Sequence, residues 1–219
     1  WDGYPYTEFL DDLASDPAMS AESLSAQLIQ RYGNDYERWI TLSAFYSSGI
    51  GEIADALDTL SYYLLRPDTD WEAVSLAWQD AQRFEVVDYP DLGSFAERLS
   101  VYSADSAISS LADSLYEKIS SARLAIYECA DYPEATGLSI YFPHEYSYDM
   151  NYEEPGRFFS DSTVWVSFLR AFHSEFFIDE TEPNNHFATA FPAETGSANT
   201  GKLNELTDVD IYRLFYTGT

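Results

Sequence analysis

A lone cysteine, Cys129, and three histidines, His144, His173 and His186, are the residues of this chain best suited to nucleophilic chemistry. A cysteine attacks a carbonyl only as a thiolate, which needs positive surroundings and a base within hydrogen-bond reach. Around Cys129 stand Glu128, Asp131 and Glu134 instead. The apolar periodicity also places it at the C-terminal end of a long helix, where the macrodipole opposes a thiolate. Cys129 therefore reads as a buried structural residue and not as a nucleophile. None of the histidines has metal-ligand spacing with another histidine or with the cysteine, so zinc is not expected. All three read as solvent-facing or partly packed.

Carboxylates offer a second kind of chemistry. Asp88 and Asp91 flank a turn and Asp11–Asp12 a helix, and paired acids can hydrolyse glycosides. With 38 acids in the chain such pairs arise freely, and nothing in the pattern sets two of them in an apolar pocket. Near the C-terminal end, Glu182, Asn184, Asn185, Asp208 and Asp210 supply hard oxygen ligands that would suit calcium. They lack EF-hand spacing, and Asx-turns and strand ends account for the same residues.

Composition narrows the partners. Those 38 acids face 11 bases, giving a net charge of −27 that repels nucleic acid and anionic membranes. Such a surface would attract cationic peptides or calcium, but its simpler reading is a solvated surface that keeps a secreted protein soluble. At 46% hydrophobic and 17% aromatic the chain is globular and can fill one sizeable core. A single cysteine forms no internal disulfide, and no apolar run approaches a membrane span. Nothing at the start resembles a signal peptide, and a first residue of Trp1 reads as a processed or excised piece of a longer protein.

The elements that must position these groups follow from periodicity. Thr7 to Ala14 predicts a short helix. Ser20 is a good N-cap for a second, with Leu24, Leu28 and Tyr32 on one face and Gly33 as its stop. Trp39 to Phe45 has strand chemistry. Ile50, Ile53, Leu57, Leu60 and Leu64 predict an amphipathic helix ending before Pro67, and Trp71, Val74, Trp78 and Ala81 continue helically. Val86 to Phe95 reads as a break. A long helix then carries Ile108, Leu111, Leu115, Ile119, Ala122 and Ile126 on one side. Gly137 opens a strand over Leu138 to Phe142 that Pro143 closes, and a Tyr-rich loop follows. The last helix, capped by Asp161 or Ser162, shows an aromatic face of Trp165, Phe168, Leu169, Phe172 and Phe176. After residue 177 the composition turns polar, with short strand-like stretches from Ala198 onward. Few strands among several helices make this an α/β chain supplying part of a sheet.

Several stretches, in order, resemble the clostripain-like cysteine peptidases over residues 1–177. WDGYPYTEFLDDLASDP, Trp1 to Pro17, is similar to the Gly-Trp-Asp-Tyr region that follows the catalytic cysteine of that family. WITLSAFYSSGIGEIADALDTLSYYL, Trp39 to Leu64, resembles its Thr-Leu-Ser-Ala strand and next helix. DYPDLGSFAERL (Asp88 to Leu99), ATGLSIYFP (Ala135 to Pro143) and TVWVSFL (Thr163 to Leu169) complete the series. TEPNNHFATAF, Thr181 to Phe191, with GKLNELTDVDIYRLF, Gly201 to Phe215, resembles the start of a bacterial pre-peptidase C-terminal domain, a small β-sandwich appended to secreted peptidases.

The resemblance implies the C-terminal half of a caspase-like sheet flanked by helices over 1–177, a linker at 178–184 and a truncated β-sandwich segment over 185–219. It implies an exported bacterial endopeptidase that cleaves proteins after Arg or Lys. In the family the catalytic histidine precedes the cysteine and both precede the Gly-Trp-Asp-Tyr region, so no residue here is expected to be catalytic. The partner would be the upstream part of the same polypeptide. Asp2 is then a candidate for the mouth of an S1 pocket, pairing with a substrate guanidinium; the alternative is a loop carboxylate holding local backbone. Trp1 and Tyr6 are candidate pocket walls, and Ser43, within Thr41 to Phe45, lines the pocket from the strand end. Calcium is a possible cofactor, with Asp208 and Asp210 as its candidates. The rival expectation is a secreted non-catalytic binding or adhesion module, or a peptidase relative lacking the dyad.

Overall fold

In the computed structural model the described residues are 6–35, 41–144, 147–153 and 162–179, with the short stretches 191–193, 198–200 and 212–214. Among them are seven α-helices: α1 (Tyr6–Ser15), α2 (Ala21–Asp35), α3 (Ser47–Leu64), α4 (Trp71–Asp80), α5 (Leu92–Tyr102), α6 (Ser106–Ala122) and α7 (Trp165–Phe176). Strands β1 (Leu42–Phe45) and β2 (Arg123–Tyr127) pair antiparallel, Leu42 opposite Tyr127 and Ala44 opposite Ala125, with a register shift before Phe45. The fold is thus mixed and helix-rich around a small two-stranded sheet. The described residues of the tail contribute β3 (Phe177–Asp179), β4 (Phe191–Ala193), β5 (Ala198–Thr200) and β6 (Tyr212–Leu214), paired β3 with β5 and β4 with β6, both parallel. β3 thus runs across residues 177 and 178, where the sequence reading placed the boundary between domain and linker.

Aspartates start three of the helices. Asp70, Asp91 and Asp105 each accept a hydrogen bond from a backbone amide in the first turn of α4, α5 and α6. A further aspartate acts across the tertiary structure: Asp58 of α3 accepts from Val164 N at 2.6 Å and so caps the approach to α7. The apolar stripes of α3, α5, α6 and α7 then bury Leu57, Leu60, Leu64, Phe95, Leu99, Leu115, Ile119, Trp165, Phe168, Leu169 and Phe172 almost completely.

Phe142 sits at the centre of that core. Its ring lies 5.0–5.8 Å from those of Trp78, Phe95, Trp165, Phe168 and Phe172. The indole N–H groups of Trp78 and Trp165 donate to the carbonyls of Phe142 and Tyr141 at 2.9 and 3.0 Å. Buried tryptophans need such partners, and here the 141–142 backbone supplies them.

Four expectations are corrected. The long helix ends at Ala122, and Ile126 belongs to β2, because the Arg123–Tyr127 backbone finds a ladder partner in β1. Gly33 does not stop α2 but lies within it. A Cβ there would fall 2.2 Å from the Tyr127 ring, so glycine permits close packing of α2 on β2. The break at 86–95 is shorter than expected, since α5 begins at Leu92. Finally, Leu138 to Phe142 is extended but makes one isolated bridge, Asp91 with Ser139, rather than a ladder. Pro90 has no N–H to offer, and the Asp91 N–H goes to Gln82 O at 2.8 Å.

Candidate functional site

Asp91 organises the region in which the strongest sequence stretches meet. Its carboxylate is fully buried and accepts from Ser94 N (2.9 Å), Thr136 N (2.8 Å), Gly137 N (3.1 Å) and Thr136 Oγ1 (2.6 Å). One side chain thereby caps α5 and pins the turn at 135–137. Burial pushes its carboxyl above the ordinary range, while the four donors pull the other way. In the sequence alone this residue is one acid among 38. The pattern Asp91-Leu-Gly-Ser94 is an N-cap signature that marks it for a cap, though not for burial.

The pinned turn carries Gly137, at φ 97°. A side chain there would be strained, and its Cβ would sit 2.6 Å from Ser43 Cβ. The close approach lets Ser43 Oγ donate to Gly137 O at 2.5 Å. Beside this contact opens a cavity of about 410 Å³ lined by Thr41, Ser43, Phe84, Glu85, Val86, Tyr89, Gly137 and Ser139. Among the described residues Glu85 is the only charged one in that lining, and it is exposed. Apolar walls with one carboxylate suit a cation on an aliphatic stem. A second cavity, about 420 Å³, is lined by Ile50, Ile53, Ala54, Leu57, Leu92, Leu138, Ile140, Tyr141 and Tyr152, and shares Tyr89 and Ser139 with the first.

Ser43 thus lines a cavity together with Thr41, but at the beginning of β1; Phe45 packs against the core instead. Tyr6 is on α1, 54% exposed, and is not part of that lining. Trp1, Asp2, Asp208 and Asp210 lie outside the described residues. No cluster of three or more His, Cys, Asp or Glu suited to a metal occurs among the described residues. Glu85 was not singled out in the sequence, where it is one acid among 38 with no local pattern.

Cys129 is buried, 1% exposed, with Thr41 Oγ1 4.0 Å from its sulfur. It follows strand β2 rather than ending a helix, so the dipole expectation is withdrawn while the buried position stands. His144 is partly buried, its ring edge-on to Trp78 at 4.5 Å. His173 is not solvent-facing: it is 7% exposed, with Tyr148 and Phe172 rings at 5.5 and 5.7 Å. Burial, aided by the nearby His144, lowers its pKa to about 4.

This has a measurable consequence. Between about pH 4 and 6.5 an unfolded His173 binds a proton that the folded one resists, so stability falls as pH drops through that window. His173→Phe is expected to remove a pH-dependent loss on the order of 2 kcal/mol over that interval. Urea titrations at pH 7 and pH 4.5 check it: the variant's stability should change less between the two than the parent's.

Compared with protein-family models, with curated proteins and with solved structures, the chain matches none. Among the described residues no helix is long and apolar enough to cross a membrane.

Proposed function

We propose that this chain is the post-nucleophile part of a secreted, clostripain-like cysteine endopeptidase that cleaves after basic residues, followed by a partial pre-peptidase C-terminal β domain. Its helices and two-stranded sheet would belong to a caspase-like domain completed by upstream sequence carrying the catalytic histidine and cysteine. One observation supports the reading above the rest. Thr41 and Ser43, from the Thr-Leu-Ser-Ala stretch, and Gly137 and Ser139, from ATGLSIYFP, line the same cavity although they are far apart in sequence. Two stretches that carry the resemblance thus converge where a substrate side chain would be held.

In this reading the substrate's Arg or Lys stem lies against Phe84, Val86 and Tyr89, and its cationic head meets Glu85. The upstream histidine takes the proton of the upstream cysteine. The thiolate attacks the peptide carbonyl, the histidine returns its proton to the departing amine as the C–N bond breaks, and water hydrolyses the thioester to acid and free cysteine. The chain's own residues bind and orient; they supply no group to the covalent steps.

The test is cleavage of fluorogenic Arg-, Lys- and Ala-ended peptides by the gene product with its upstream region. Arg cleavage should disappear when the upstream cysteine is replaced. Glu85→Lys should lower kcat/KM for Arg substrates on the order of 100-fold while sparing Ala substrates. Unchanged Arg kinetics in Glu85→Lys with a loss in Asp2→Lys would transfer the role to Asp2. No cleavage at all would favour the non-catalytic binding module.

A further inference from the structure

The cavity of about 420 Å³ bordered by α3 reaches into the core. Its floor is Ile53, Leu57, Leu92 and Ile140, side chains that the fold otherwise buries to 7% exposure or less. Ile50 and Ala54, one helical turn apart on α3, line it as well. Three tyrosine rings complete the lining: Tyr141 stands 4.4 Å from Tyr152 and 5.4 Å from Tyr89. The Tyr141 hydroxyl is committed elsewhere, accepting from Asp149 N at 2.6 Å. A cavity of this size falls within the range of small-molecule sites, roughly 300–1,000 Å³.

The lining decides what kind of molecule fits. Among the described residues it contains no charged side chain. Asp55 lies exposed on α3 next to Ala54, and the whole chain carries −27, so a carboxylate or phosphate would be repelled. A sugar would leave hydroxyls without partners against these apolar walls. A second copy of the chain brings the same negative charge. A peptide strand laid against 137–141 would meet backbone groups that the fold already uses. Leu92 N donates to Leu138 O, Ile140 N to Pro90 O, Ser43 Oγ to Gly137 O and Trp165 Nε1 to Tyr141 O. Along mid-α3 the amides and carbonyls bond within the helix. A free apolar molecule needs none of those groups, and flat rings pack well against tyrosine faces and edges.

We propose that this cavity binds an uncharged, ring-containing apolar small molecule. The ligand rests on Ile53, Leu57 and Ile140 and packs its rings against Tyr89, Tyr141 and Tyr152. The site requires no catalytic group and does not rest on the peptidase reading.

The probe is N-phenylnaphthylamine, a neutral dye whose emission rises in apolar surroundings, titrated with the 219-residue chain. Saturable one-to-one binding is expected, and the same ring system carrying a sulfonate should bind about 10-fold more weakly. Ala54→Trp, at a half-buried position, fills the cavity from α3 and should abolish binding. Ile50→Lys, at a position 43% exposed, should weaken it about 10-fold without unfolding the chain. Leu10→Lys on α1, also exposed and apolar but outside this lining, should leave it unchanged. Should Ala54→Trp prove unstable in a thermal melt, Ile50→Lys against Leu10→Lys decides alone. Naphthol, uncharged at pH 7, should displace the dye. Equal binding of the sulfonated dye overturns the proposal, as does equal loss in Ile50→Lys and Leu10→Lys. An end-blocked phenylalanine tripeptide that displaces the dye at lower concentration than naphthol would assign the cavity to a polypeptide and overturn it too.

Discussion

Asp91→Ala should lower the free energy of unfolding by about 4 kcal/mol, the largest loss expected from any polar residue described here. Three backbone amides, Ser94, Thr136 and Gly137, lose their acceptor, as does the Thr136 hydroxyl. Loss of the α5 cap accounts for about 1 kcal/mol. Each buried donor left unsatisfied costs about 1–3 kcal/mol, and relief of carboxylate desolvation offsets part of the sum. Asp91→Asn is nearly isosteric but recovers little. One of its two terminal atoms is an NH₂, which meets donors on either side: Ser94 N–H and the Thr136 hydroxyl, or Thr136 N–H and Gly137 N–H. Urea denaturation followed by tryptophan fluorescence measures both variants. A loss of under about 1 kcal/mol in the alanine variant would mean that Asp91 does not hold the turn.

The same substitution reaches the cavity through a short path. Asp91 pins Thr136 and Gly137, and Gly137 O is the acceptor for Ser43. Asp91→Ala should therefore loosen the wall formed by Gly137 and Ser139. The acid is a positioning residue, since it contacts the backbone of the wall and does not line the cavity.

Phe142→Ala should cost about 4 kcal/mol, and Phe142→Leu less than half of that. The ring is fully buried and touches five other rings from α4, α5 and α7, so neighbours on three helices would have to move to close the void. The backbone carbonyl that accepts the Trp78 N–H survives the change. The loss therefore reports packing and not that hydrogen bond. Near-UV circular dichroism should weaken, because the tryptophans lose a fixed neighbour, while helix content stays close to the parent's. Thermal unfolding monitored at both wavelengths checks the pair of expectations.

Much of the helical frame is legible from neighbours in sequence. The stripe Ile53, Leu57, Leu60, Leu64 and the aromatic run Trp165, Phe168, Leu169, Phe172 repeat at three and four residues. Both are buried as the periodicity required. Ser20 accepts from Ser23 N at 3.2 Å at the start of α2, as its type predicts. Cys129 is buried, as a structural cysteine is expected to be, but it follows β2 and not the end of a helix.

What tertiary structure decided concerns groups whose partners are distant in the chain. Ile126 keeps helical spacing with Ile119 and Ala122, yet it lies in β2 because β1, some eighty residues earlier, satisfies that backbone. Gly33 looks like a helix stop until the ring of Tyr127 occupies the space of its missing Cβ. Asp91 is chemically the same as 37 other acids in the sequence. It becomes singular only when the turn at 135–137 folds over it and removes water, so that four donors converge on one carboxylate. Glu85 acquires meaning in the same way, from Ser43 and Ser139 being carried to it. The sequence by itself determined the helices that carry a clear apolar stripe, because such a stripe is written in residues three and four apart, but it did not separate α5 from the break at 86–95. The pairing of strands, the satisfaction of buried polar groups and the walls of the cavities depend on contacts across tens of residues, which no local pattern encodes.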